Sequence, residues 1–121
     1  MDFLIVGLSG FFGAILRYVF YILEKAYLGS QFPVATLIIN VLGCLLSGII
    51  LGLQSNSPSS SAHLMQLFSI GFIGSFTTFS ALTAETSKLF ETNFQLQAFG
   101  NILLNLTLGF SFFIIGKLAV R

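Results

Sequence analysis

Charge is nearly missing from this chain. Only 7% of its 121 residues are Asp, Glu, Lys or Arg, against roughly a quarter in soluble domains, while 55% are hydrophobic. A soluble protein of this size has no way to hide so much apolar surface, so the composition predicts residence in the bilayer and no nucleic-acid partner. Cysteine is reduced to Cys44, alone within an apolar run. That excludes an internal disulfide and a cysteine-based metal cluster, and Cys44 reads as a small buried hydrophobe. Only Arg17 and Glu85 sit clearly within apolar segments, too few to relay protons across a membrane; His63 borders a polar loop and is expected to be solvated. Catalytic sets are missing too: the sequence holds no Ser/His/Asp or Cys/His set, no HExxH, no phosphate loop and no convergent carboxylate pair. The chain reads as a non-enzyme.

What is present is apolar length. At about 20 residues per span, the chain divides into four segments, near Phe3 to Leu23, Phe32 to Leu53, Leu64 to Leu89 and Leu96 to Val120. They form an all-α, multi-pass transmembrane domain over residues 1–121, facing lipid in a cell membrane. Met1-Asp2 lacks a basic stretch before the first segment, which is therefore expected to be retained as a helix rather than cleaved. The connections are short and polar: Leu28 to Gln31 before Pro33, the Ser-rich QSNSPSSS from Gln54 to Ser61, and Glu91-Thr92-Asn93. Gly7, Gly10 and Gly13 recur every third residue, and Gly48 and Gly52 form a GxxxG; such spacing lets helix backbones approach closely in lipid. The sequon Asn105-Leu106-Thr107 lies within a span and carries no meaning there.

The third segment contains an anomaly. Gly71-Phe72-Ile73-Gly74-Ser75-Phe76-Thr77-Thr78-Phe79-Ser80 places two glycines and a run of hydroxyls at membrane depth, predicting a broken helix. Non-helical backbone survives there only where protein, water or an ion takes up the freed groups, and such breaks mark ion or substrate sites. Other polar residues lie within spans. Asn40, one turn from Thr36, is either an interhelical hydrogen-bonding group or a pore donor. Ser80, Thr83, Asn101, Asn105, Thr107 and Ser111 either line a polar track or bond back to their own helices. Neutral donors, one basic charge near a helix end and fifteen phenylalanines, whose ring edges are positive, suggest passage of a small anion.

Apart from Arg17, basic side chains split evenly, with Lys117 and Arg121 on the side of both termini and Lys25 and Lys88 opposite. The positive-inside rule therefore favours neither orientation. Insertion both ways would give an antiparallel two-fold assembly; a fixed orientation with balanced charge is the other reading.

Three motifs carry a specific resemblance. Ser9-Gly10-Phe11-Phe12-Gly13-Ala14-Ile15-Leu16-Arg17-Tyr18 resembles the G-G-x-x-G-A-x-x-R-Y opening of the Fluc (CrcB) fluoride channels, Asn40-Val41-Leu42-Gly43 their N-V-x-G, and Gly71 to Ser80 their G-F-x-G-x-x-T-T-F-S. The resemblance implies an antiparallel dual-topology homodimer with two fluoride pores, passive export of fluoride from the cytoplasm, and a structural sodium ion (Na+) at the dimer centre. Residue by residue, it implies that Asn40 and Phe79 line the pore, that Arg17 stands at its vestibule, and that the backbone carbonyls of Gly74 and Thr77 hold sodium. Thr36, Thr78, Ser80 and Thr83 would join the polar track.

Two positions depart from the family pattern. Leu82 stands where a second pore phenylalanine is expected, and Asn105 where a serine is expected. Either the chain is a specialised subunit of a heterodimer with an oppositely oriented relative, or these sites tolerate drift. A small-multidrug-resistance-type transporter is the competing class; it needs an acidic residue mid-membrane in the first helix, whereas Asp2 and Glu24 lie at the ends and the chain has no Trp. A non-transporting assembly subunit is a third reading.

Overall fold

The computed structural model describes residues 1–120, so Arg121 and its place in the charge balance lie outside it. Helix α1 spans Asp2–Tyr27, α2 Val34–Gln54 and α3 Ser59–Phe68. A π-helical turn, Ser69–Ile73, leads into the short α4, Gly74–Phe76. Helix α5, Phe79–Glu91, and α6, Gln95–Ala119, complete the chain. No strand occurs among the described residues, and four helical stretches are long and apolar enough to cross a membrane: α1, α2, the composite Ser59–Glu91, and α6.

Helix boundaries depart from the sequence reading in places with local causes. Ser59, Ser60 and Ser61 are helical rather than loop, because Pro58 precedes the first helical residue with an extended ψ of 151° and its carbonyl accepts Ala62 N at 3.0 Å. His63 accordingly lies on α3, where it is exposed and 3.1 Å from Asp2. Helix α1 runs on to Tyr27. Helix α5 closes in a Schellman motif: Asn93 takes φ 62°, a left-handed conformation Asn tolerates. Phe94 N then reaches Leu89 O at 2.8 Å and Asn93 N reaches Phe90 O at 3.3 Å, satisfying carbonyls the helix end leaves open.

Glycines set the packing. A Cβ at Gly48 would strike the carbonyl of Phe113, one at Gly116 the carbonyl of Leu45, and one at Gly52 Val120 and Lys117. Helices α2 and α6 therefore run parallel with backbones in contact, as small residues permit in lipid. Helix α1 pairs in parallel with the third span by the same device, Gly13 against Phe72 and Ser75, and Gly71 against Val6 and Ser9. The two pairs run in opposite directions, so both chain ends share one side with Lys117, while Lys25 and Lys88 lie in last turns at the other. The apolar core within one chain is small, Ala35, Ile39 and Phe76 flanked by Phe20, Tyr21 and Phe72. Most of the other apolar surface faces outward: α1 buries only Gly13.

Candidate functional site: an amide ladder at a helix interruption

Between α4 and α5 the backbone leaves the helix. Thr77 takes ψ 158° and Thr78 φ −153°, ψ 112°, so Thr78 N cannot return to the carbonyl of Gly74 as in a continuous helix. Asn40, projecting from α2, accepts that N–H on Oδ1 at 2.9 Å. Its Nδ2 donates to Thr78 O at 3.3 Å and to Asn105 Oδ1 at 2.8 Å. Asn105 Nδ2 donates in turn to the backbone and side-chain oxygens of Asn101, at 2.8 and 3.0 Å, and Asn101 Nδ2 donates to Thr86 Oγ1 at 3.0 Å. The result is a ladder of three carboxamides joining α2, the interruption, α6 and α5. Thr78 also caps α5, its Oγ1 accepting Ala81 N at 3.1 Å.

Beside the ladder lies an open cavity of about 270 Å³ lined by Asn40, Thr77, Thr78, Phe79, Leu82 and Asn105 among others. Leu82 is 7% exposed there, whereas Phe79 is 76% exposed at its edge. A second polar group lies toward the Lys88 end. Thr36, fully buried, donates to Glu85 Oε1 at 2.7 Å and meets Tyr21 OH at 3.1 Å. Glu85 and Lys88 line a cavity of about 480 Å³ with Glu24, and Glu24 Oε1 accepts Ala35 N at 3.1 Å in the first turn of α2.

The model of the family described as CrcB-like protein, Camphor Resistance (CrcB) matches residues 4–117. The chain belongs to the CrcB family. It is 37% identical over 115 residues to a fluoride-specific ion channel FluC of Dehalococcoides mccartyi, covering 95% of this chain and 88% of that one. It is 38% identical over 118 residues to a FluC of Clostridium perfringens, 98% and 92% of the two chains, and 42% identical over 105 residues to one of Shewanella baltica, 87% and 84%. With four membrane-length helices, this CrcB protein is a multi-pass protein of the cell membrane, and not an enzyme.

The residues singled out in the sequence of this CrcB chain divide into groups. Asn40, Thr78, Leu82 and Asn105 share one cavity with Phe79 at its edge. Arg17 lies beside the interruption, its Nη1 3.5 Å from Thr77 O. Ser80 meets Thr78 Oγ1 at 3.2 Å, and Thr83 turns back to its own helix, donating to Phe79 O at 3.0 Å from an exposed position. Thr107 and Ser111 do the same on α6. Thr36 belongs to the Glu85 group. Asn101, a candidate for the polar track, joins the ladder, and Thr86, Tyr21 and Glu85 join these groups without being expected pore residues; for Glu85 its charge at membrane depth was the available signal.

The two carbonyls expected to hold a cation differ: that of Thr77 faces the Arg17 guanidinium, with Nη1 at 3.5 Å, whereas that of Gly74 is open. The carbonyl of Gly74 loses its usual N–H partner to Asn40, and Gly74 is exposed with nothing within 4 Å of where a Cβ would stand. Carbonyl oxygens suit a hard cation. No group of three His, Cys, Asp or Glu occurs among the described residues, so such a site would rest on neutral oxygens.

Proposed function

We propose that this chain is a fluoride-selective, passive ion channel. One observation carries the reading: at a helix interruption at membrane depth, the donor-bearing amide of Asn40 borders a cavity edged by the Phe79 ring, with no carboxylate beside it. Neutral N–H donors and a positive ring edge suit a partly dehydrated anion. The names of its relatives in the CrcB family support fluoride as that anion. Passive conduction accounts for direction, because an inside-negative potential favours outward movement of an anion by about 2.3 kcal/mol per 100 mV.

The open outer faces of the spans support assembly as an antiparallel, dual-topology dimer. There the third span is a broken helix, and the carbonyls of Gly74 and Thr77 with their two-fold mates would hold one structural sodium ion. That ion would supply positive charge at the dimer centre. Leu82, inside the cavity where an aromatic edge would serve an anion, favours a second reading: this chain as the weaker partner in a mixed dimer. Fluoride and chloride efflux from liposomes containing this chain alone tests both. Fast fluoride efflux with little chloride supports the homodimeric channel. Equal fluxes contradict selectivity, and fluoride flux appearing only with a co-expressed relative supports the mixed dimer.

A further inference from the structure

Both carbonyls expected to hold the structural cation are freed by the interruption, and they meet different neighbours. Gly74 O loses Thr78 N to Asn40 Oδ1. Thr77 O loses Ala81 N, which turns to Thr78 Oγ1 at 3.1 Å, and Arg17 Nη1 stands 3.5 Å from it instead. Arg17 is half-buried within α1, and no carboxylate among the described residues lies within ion-pair distance of it. Asp2 faces His63, Glu85 takes the Thr36 hydroxyl, Glu24 the first turn of α2 and Glu91 the Ser87 hydroxyl. The guanidinium charge beside the Thr77 carbonyl therefore goes uncancelled among these residues, and Arg does not shed its proton to escape.

We infer that Arg17 is a specificity-determining residue for the cation site: its charge holds that site to monovalent ions. This rests on the reading that the carbonyls of Gly74 and Thr77, with their two-fold mates, hold one sodium ion. An ion on Thr77 O at about 2.4 Å sits within about 6 Å of Arg17 Nη1, because that nitrogen is 3.5 Å from the same oxygen. In a two-fold assembly two such guanidinium groups act on one ion. The repulsion grows with the charge of the ion, so a divalent cation loses twice the free energy that a monovalent one loses. Four carbonyls bring no negative charge to offset it, whereas sites that keep calcium do so largely with carboxylates. Sodium and calcium are close in size and take the same oxygen ligands, so charge is what separates them here.

Thermal melting of the purified chain in detergent is followed while sodium chloride or calcium chloride replaces the chloride of a bulky organic cation at constant ionic strength. Wild type should be stabilised at a lower concentration of sodium than of calcium. Arg17→Gln keeps a hydrogen-bond donor but loses the charge. Its sodium midpoint should fall about tenfold and its calcium midpoint about a hundredfold, for an effective dielectric constant of about 40 at about 6 Å. Arg17→Lys retains the charge and should retain the wild-type preference. Lys25→Gln removes the same charge from the last turn of α1 and should leave both midpoints in place. Stabilisation of wild type by calcium at concentrations equal to or below those of sodium overturns the inference alone, whatever the variants do. Midpoints unchanged or equally shifted in Arg17→Gln, the mark of a site merely loosened, overturn it too, as does loss of the preference in Arg17→Lys or an equal effect in Lys25→Gln. No response of wild type to either salt overturns the sodium reading and this inference with it.

Discussion

Both amide hydrogens of Asn40 end on oxygens of the chain, and its own oxygen takes the Thr78 N–H, one of those the interruption frees. Asn40→Leu therefore leaves a buried donor and two acceptors unmatched, at about 1–3 kcal/mol for each such group. We expect fluoride flux to be lost and the detergent melting temperature to fall, both read on the same purified variant. Leu82 offers the opposite change. Cavities of about 270 and 410 Å³ border it, so Leu82→Phe has room for a ring. An aromatic contact of roughly 0.5–1.5 kcal/mol should raise fluoride flux from a few-fold to about tenfold, and an unchanged efflux rate would mark the site as tolerant. Asn40 and Leu82 could be singled out in the sequence because they sit in or beside spaced motifs, and Asn105 as a polar residue within a span where the family pattern has a serine. Asn101 was a candidate for a polar track, but its bond across to Thr86 could not be foreseen. Membrane hydroxyls and amides bond to their own helix as readily as across to another, and Thr83, Thr107 and Ser111 do so here.

The helices depend on glycine contacts and on one cap. Gly48→Leu would drive a side chain into the Phe113 carbonyl where α2 meets α6; overpacking of this kind costs about 1–3 kcal/mol, and thermal unfolding in detergent should show it. Gly100 is the matching control, since nothing lies within 4 Å of its Cβ position, and Gly100→Ala should leave stability unchanged or raise it. Thr78→Val removes the cap on Ala81 N, a loss of about 1 kcal/mol. The Gly48-Gly52 pair was visible as a close-packing signal. Its partner was not, because α6 answers with Gly116 and with carbonyls, which every residue has. The four spans followed from composition, while the start of α3 at Ser59 turned on Pro58, whose effect on a serine-rich stretch is a matter of backbone angles rather than polarity.

At the scale of the whole molecule, most of the apolar surface of one chain lies on its outside. Lipid or a second copy must cover it. If Gly74 and Thr77 hold sodium between two copies, replacing sodium by a bulky organic cation should lower fluoride flux and shift the particle toward monomer in size-exclusion chromatography, and restoring sodium should reverse both. Four spans, with α1 parallel to the third and α2 parallel to α6, put Met1 and the end of α6 on one side, as the four apolar segments implied. Selectivity for fluoride is the property that the site, the helices and the assembly together would serve. Its most direct test is the reversal potential of currents through bilayers containing this chain alone, with a fluoride gradient and equal chloride on both sides. A reversal close to the equilibrium potential for fluoride is the predicted result; a reversal at the chloride potential, or no current, would contradict it.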